Sequence, residues 1–258
     1  MPIQSEKTIA VFGDACIDIF TYGKCNRLCP EAPVPILIPE YTENNDGMAL
    51  NVARNIVNMG YSCIPITNDK NKIVKHRYVE SSLNHIIIRV DQEEKVNPLE
   101  LKEVSDHVWK CDCAVISDYD KGFLTETVMQ EISERIPLSF LDTKKKIGNW
   151  ANSFSFIKIN EDEFSRTMHS MSALLLNKTI VTLGKRGCRY LEKVYSPPSL
   201  THTVNVCGAG DTFLAGLVTA YCASNDIEKS LEYALHCSSI VVKNRGVSVP
   251  FSVENTND

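Results

Sequence analysis

No stretch of the chain approaches the roughly 18 consecutive apolar residues of a membrane helix, so no membrane partner is expected. The first residues, MPIQSEKTIAVFGD, lack a basic segment followed by a long apolar run, which argues against a secretory signal. Cysteine is plentiful but has no ligand spacing. The ten (16, 25, 29, 63, 111, 113, 188, 207, 222, 237) contain no CxxC pair, and no cysteine zinc site is expected. They read as reduced thiols of a cytoplasmic protein, several of them filling the core. Neither sign of charge dominates: 27 Lys and Arg against 32 Asp and Glu give a net charge of −5, a poor match to nucleic acid. No repeat, low-complexity tract or linker divides the 258 residues. At 43% hydrophobic and 23% charged residues, the chain is not a disordered one.

The pattern that is present is alternation. Ile9-Ala10-Val11-Phe12 reads as a buried strand closed by Gly13-Asp14. Residues 16–41 are rich in proline and β-branched residues and read as irregular strands, with Pro33 and Pro35 at an edge. Asn45-Asp46-Gly47 reads as a turn, followed by a helix through Ala49, Val52, Ala53, Ile56 and Met59 that stops at Gly60. A short strand is expected at 63–67 and a hairpin over 73–91 around Ser81-Ser82-Leu83-Asn84. Further on, helices are expected at 98–109, 124–135, 160–168, 208–223 and 226–243, with strands at 114–117, 138–141, 154–159 and 179–183. Such alternation implies an α/β fold with a mostly parallel sheet covered on both faces. Segments 16–41 and 73–91 do not fit it and are assigned to a small β-lid inserted into a single domain, 1–258.

The most informative segment runs from Asn205 to Phe213, where Gly208-Ala209-Gly210 precede a helix and Asp211 sits in its first turn. Converging backbone N–H groups at a helix start favour an anion. Asp211 is then either a partner of the helix dipole or a general base beside an anion hole. The glycines come too late in the chain for a dinucleotide fingerprint, and Gly184-Lys185-Arg186 is not a P-loop.

Gly208-Ala209-Gly210-Asp211-Thr212 resembles the signature of the ribokinase-like (pfkB-type) sugar kinases. Gly13-Asp14-Ala15-Cys16-Ile17-Asp18, the segment Asp46 to Asn55, Asn160-Glu161-Asp162-Glu163 and Thr182-Leu183-Gly184-Lys185-Arg186-Gly187 are similar to four further motifs in that family's order. Within the family, Asn26 to Pro35, Ser117-Asp118-Tyr119-Asp120-Lys121-Gly122 and the 75–91 hairpin resemble the D-glycero-D-manno-heptose 7-phosphate kinases.

The resemblance implies a three-layer α/β/α sandwich with a β-lid, and transfer of the γ-phosphoryl of ATP, with Mg²⁺, to a sugar or sugar phosphate hydroxyl, by preference the anomeric hydroxyl of D-glycero-D-manno-heptose 7-phosphate. It implies that Asp211 is the base and that Gly208, Ala209 and Gly210 form the anion hole. Asp18, Gly47 and Asn51 would bind sugar hydroxyls. Asp118 and Lys121 would line the site, and Lys75, Arg77, Arg89 and Lys144 are candidates for a second phosphate, with Lys145 and Lys146 left in solvent. Asn160 and Glu163 would organise Mg²⁺ through water, or simply cap a helix. Thr182, Gly184, Gly187 and His236 would lie on the nucleotide side.

Three positions depart from the pattern. Met48 replaces the second glycine of a Gly-Gly pair and is expected to crowd the sugar or to change which sugar fits. Asn205 replaces an Asp linked to a monovalent cation, so potassium activation is not assured. Leu235, beside His236, stands where an Asn often faces adenine. The stretch 60–75 is short, and a second nucleotidyltransferase domain is not expected. The alternative to a kinase is a pfkB-fold ligand-binding protein without turnover or with altered specificity. A homodimer through the lid is a further expectation.

Overall fold

The computed structural model of the chain describes residues 7–198, 207–242 and 250. The strands begin with β1 (Thr8–Gly13), β2 (Ala15–Lys24), β3 (Ile38–Met48), β4 (Ser62–Thr67), β5 (Ile73–Glu80) and β6 (His85–Glu93). They continue with β7 (Cys113–Asp118), β8 (Ser139–Thr143), β9 (Phe156–Asn160), β10 (Thr179–Thr182), β11 (Cys188–Tyr190) and β12 (Lys193–Tyr195). The helices are α1 (Ala49–Asn58), α2 (Glu126–Arg135), α3 (Glu161–Thr167), α4 (Ala173–Asn177), α5 (Ala209–Ser224) and α6 (Ile227–Val241).

Eight strands form the main sheet in the order β12-β11-β10-β9-β8-β7-β1-β4, parallel from β4 to β10 and antiparallel at the β11–β12 edge. Residue alternation along β1 shows why both faces are covered. Ala10 and Phe12 join a core with Ile116, Leu141 and the α2 residues Met129 and Ile132. Ile9 and Val11 join a second core with Val52 of α1, Leu214 and Leu217 of α5 and Leu231 of α6. A fully buried aliphatic side chain contributes roughly 1.5–3 kcal/mol, so these two faces supply the main stabilisation. The result is the expected α/β/α arrangement. Among the described residues no helix is long and apolar enough to cross a membrane.

A second sheet, order β3-β2-β5-β6, arises from the two segments that broke the alternation. β2 pairs with β5 in parallel, and β3 and β6 are the edges.

Several local expectations are corrected. Residues 98–109 are not a helix. Two isolated turns, Leu101–Glu103 and Val108–Lys110, replace it, because Leu99 N–H bonds Phe123 O (2.8 Å) and ties the segment across to the 119–123 loop. Asn45-Asp46-Gly47 is not a turn but the end of β3, paired with Asp18, Ile17 and Cys16 of β2. The corner into α1 falls instead on Met48, at φ 59° and ψ −130°. The hairpin β11–β12 and the short α4 were not expected, being too short to show a period.

Met48 does not crowd an open cleft: its side chain is 3% exposed and belongs to the core with Phe12, Cys16 and Ile73. Two effects oppose each other there. Positive φ costs a bulky residue on the order of 1–3 kcal/mol, while burial of the thioether chain returns about 1.5–3 kcal/mol. Met48→Gly should therefore change stability by less than about 1.5 kcal/mol, and Met48→Ala, which keeps the strain and loses the packing, should cost about 2–4 kcal/mol. Urea denaturation of the two variants tests this reversal of the usual Ala-over-Gly order.

Candidate active site

The motif residues collect where strands of the main sheet end at their carboxyl edge, the usual ligand side of an open α/β sheet. Gly13, Asp118, Thr143 and Asn160 are the last residues of β1, β7, β8 and β9. Asp14, just past β1, is fully buried. Its carboxylate accepts the backbone N–H groups of Tyr119 (2.7 Å), Lys121 (3.2 Å) and Phe123 (3.4 Å), and its own carbonyl accepts the Ala49 N–H (3.0 Å). One residue thus fixes both the loop after β7 and the start of α1. Burial, with Asp118 nearby, pushes its carboxyl up, and the three N–H donors oppose that.

Those two anchored segments converge on Asp211. Gly208 takes the left-handed conformation (φ 77°) that opens α5, and Asp211 lies in the first turn. Asp211 does not cap its own helix. One carboxylate oxygen accepts the Asn51 amide (2.8 Å) and the other accepts the Tyr119 hydroxyl (2.7 Å). The group is 6% exposed, and burial pushes its pKa above the ordinary carboxylate value. The Asn51 and Tyr119 donors and the Lys158 ammonium pull the other way, and Asp142 adds to the rise. Lys158 and Asp142 are cross-strand neighbours on β9 and β8 and form a buried ion pair (2.6 Å). A side chain at Gly210 would come within 3.4 Å of the Lys158 ammonium, so that cation sits directly below the glycine turn. A helix start, free of any side-chain cap and backed by an ammonium, is a place for negative charge.

Asn51, expected on sugar, is buried and engaged: besides donating to Asp211, its carbonyl accepts from Arg54 (2.9 Å) and Asn55 (3.3 Å). Asp18 is likewise held, in a buried 2.5 Å ion pair with Arg77, whose guanidinium lies over the Phe20 ring (4.9 Å). Gly47 is required beside it, since a Cβ there would come within 2.4 Å of the Asp18 carboxylate. Arg77 is thus the partner of Asp18. Arg89 is its cross-strand neighbour, more exposed and paired with Asp91 (2.8 Å). Lys75 stands over the Tyr119 ring (5.1 Å), and Lys144 over the same ring (5.5 Å) while pairing with Glu163.

Asp118 is buried and accepts from Thr143 and Lys145 (2.9 Å), so it holds the loops together. Lys145 is accordingly not a solvated lysine, since it also pairs with Asp120 (2.7 Å), whereas Lys146 is exposed as expected. Lys121 reaches Glu93 on β6 (2.5 Å) and ties the second sheet to this loop.

On the other flank, Asn160 and Glu163 form a complete capping box: the Asn160 side chain accepts the Glu163 N–H (2.8 Å) and the Glu163 side chain accepts the Asn160 N–H (2.7 Å). Among the described residues no group of three or more His, Cys, Asp or Glu side chains forms a metal cage. The pair fits Mg²⁺ only through the water shell that this ion retains. The Thr182 hydroxyl turns back to the Ile159 carbonyl (3.4 Å). Gly184 borders open space, and Gly187 (φ 94°) turns the chain into β11, where any Cβ would strike the Tyr195 carbonyl at 2.0 Å. His236 is exposed on α6, and Leu235 is a buried core residue rather than a wall of a nucleotide cleft. Asn205 lies outside the described residues.

A reading of the sequence assigns no role to Lys158, or to Tyr119 within its 117–122 motif. Tyr119 lies between Asp118 and Lys121, which stand out by charge, and Lys158 is absorbed into the expected strand 154–159. A charged residue within an apolar strand is the available signal for Lys158.

Comparison with known proteins agrees with this geometry. A family model described as pfkB family carbohydrate kinase matches residues 117–254. The bifunctional protein HldE of Helicobacter acinonychis (strain Sheeba) is 29% identical over 295 aligned residues, covering 93% of this chain and 64% of the relative. The HldE protein of a Nitratiruptor species is 29% identical over 288, covering 93% and 62%. The chain therefore spans less than two thirds of the length of these curated relatives. Among solved structures, ribokinase from Thermotoga maritima superposes with a TM-score of 0.70 at 12% identity, covering 95% of this chain and 96% of that one. Ribokinase from Arabidopsis thaliana, complexed with ribose and ATP, gives 0.67 at 15% identity, covering 93% and 94%. At such identities these two establish the fold. Family match, fold and site together make this chain a member of the pfkB carbohydrate kinase family, enzymes that pass a phosphoryl group to an alcohol acceptor.

Proposed function

We propose that the protein is an ATP-dependent sugar kinase whose acceptor is the anomeric hydroxyl of D-glycero-D-manno-heptose 7-phosphate. The observation that carries the reading is the Asp211 carboxylate, desolvated but held between two neutral donors, beside a glycine turn backed by Lys158. Each carboxylate oxygen keeps a lone pair beyond the one its donor uses. One of these would take the acceptor proton as the sugar oxygen attacks the γ-phosphorus. The N–H groups of Gly208, Ala209 and Gly210, with Lys158, would hold the charge that develops on the phosphoryl oxygens. Asp18, oriented by Arg77 and Gly47, would receive sugar hydroxyls. Lys75 and Arg89 on the second sheet would meet the acceptor's own phosphate. Magnesium, when bound, would neutralise phosphate charge, with Glu163 and Asn160 holding it through water and Thr182, Gly184, Gly187 and His236 on the nucleotide side.

The reading takes residues 1–258 as one kinase domain with the second sheet as its lid, in a cytoplasmic protein whose cysteines are all free thiols. The lid is proposed to pair two copies, because among the described residues β6 is an edge of its sheet, with Ile86, Ile88 and Val90 exposed. A second reading, a ligand-binding relative without turnover, is favoured by one observation. Asn51 and Arg77, expected on substrate, are spent on Asp211 and Asp18.

ADP release measured with a panel of sugars and sugar phosphates separates the two readings. Turnover is expected with the heptose phosphate, and binding seen only as a raised melting temperature supports the second reading. Asp211→Asn should lower kcat about 10²–10⁴-fold, the range of a lost general base, with ATP binding retained. Unchanged turnover in that variant would exclude the assigned role. By sedimentation velocity, Ile88→Glu should shift the protein from dimer to monomer. A wild-type chain already monomeric at micromolar concentration would remove the lid-dimer proposal.

A further inference from the structure

The Tyr119 hydroxyl is the least expected partner in the site. Its loop is pinned by the Asp14 carboxylate through the Tyr119 N–H (2.7 Å), so the residue's backbone has little freedom. Its ring carries the ammonium groups of Lys75, from the second sheet, and Lys144, from the loop after β8, at 5.1 and 5.5 Å from the centroid. Its oxygen then lies 2.7 Å from the Asp211 carboxylate, opposite the 2.8 Å contact from Asn51. Burial, and the nearby charges of Asp211 and Asp142, keep the phenol protonated, so toward the Asp211 carboxylate it acts as donor.

Resting on the kinase reading above, we propose that Tyr119 is a positioning residue for phosphoryl transfer: with Asn51 it clamps the buried Asp211 carboxylate in one orientation and favours its ionised form. A carboxylate in such a place would otherwise rotate or take up a proton, and a neutral donor prevents both without cancelling its basicity as an ammonium would. The two donors come from different segments, α1 and the loop after β7, and approach different oxygens. This leaves the remaining lone pairs for one acceptor hydroxyl. The lysines on the ring add a second consequence. Lys75 belongs to the second sheet, so the placement of that sheet over the site bears on the ring that orients the base.

The charged and titratable groups around Asp211 are Lys158 and Asp142 on β9 and β8, Lys144 after β8, Arg54 on α1, Cys16 on β2, Cys207 ahead of α5 and Tyr119 itself. Tyr119→Phe removes one donor and none of these charges. With the base harder to ionise, the acid limb of the kcat–pH profile should move to higher pH by about one unit. At neutral pH kcat should fall about 10–100-fold, the scale of one lost hydrogen bond to a charged group. The KM for ATP should stay within about twofold. Replacement of Tyr119 by 3,5-difluorotyrosine, which keeps the shape and strengthens the donor, should move the limb to lower pH. It also provides the test if Tyr119→Phe fails to fold. A Tyr119→Phe profile superimposable on wild type, or a raised kcat showing that the hydroxyl merely fills the place of the acceptor, overturns the proposal. The two levels separate cleanly: normal turnover by Asp211→Asn defeats the base assignment, whereas an inactive Asp211→Asn beside an unshifted Tyr119→Phe defeats only the role of Tyr119.

Discussion

A carboxylate taken out of water must be held by donors or give up its charge, and the whole site is arranged around that constraint at Asp211. Its two partners come from different places in the chain, Asn51 at the start of α1 and Tyr119 after β7. Neither segment is positioned by Asp211 itself. Both are hung from Asp14, whose carboxylate and carbonyl take up the N–H groups of the loop and of the helix start. The order of dependence therefore runs from the end of β1, through one buried aspartate, to the two donors and then to the reacting carboxylate. At Asp14 itself burial pushes the carboxyl up, and the three backbone donors oppose that rise.

Electrostatic pairing repeats around this centre. Asp142 with Lys158 and Asp18 with Arg77 are both buried ion pairs. Such pairs add little net stability compared with apolar packing, but breaking one strands a charge. Their value is placement. Lys158 is fixed below the glycine turn, and Asp18 is fixed against Gly47, where only a residue without Cβ fits. Lys121 with Glu93 joins the loop that carries Tyr119 to the second sheet, so both sheets bear on one stretch of six residues, 118–123.

Much of the fold was legible because it follows from periodicity. Alternating apolar runs and amphipathic segments gave the parallel sheet and its covering helices, and the two segments that broke the rhythm became the second sheet. Where the hydrophobic spacing was met by tertiary hydrogen bonds instead of a helix, as between Leu99 and Phe123, the reading failed. The turn assigned to Asn45-Asp46-Gly47 failed because the glycine serves a close approach of Asp18, and the chain bends one residue later at Met48. In the site, residue types announced where chemistry would gather but not which groups would pair. Asp211, Gly208 and Gly210 stood out by position at a helix start. Asn51 and Arg77 were read as substrate contacts, while the structure turns them toward carboxylates of the protein. Tyr119 gave no signal by charge or period, because a hydroxyl acquires meaning only from what it touches.

The central claim is that Asp211 addresses an acceptor hydroxyl through the lone pairs its two donors leave open. A crystal structure of the protein with a sugar phosphate acceptor and a non-hydrolysable ATP analogue tests it most directly. The account predicts the acceptor oxygen within hydrogen-bond reach of Asp211, about 2.6–3.2 Å, in line with the terminal phosphorus, with Asn51 and Tyr119 still in place. A sugar bound with its hydroxyls away from Asp211, or terminal phosphate lodged far from the Gly208–Gly210 turn, would contradict it.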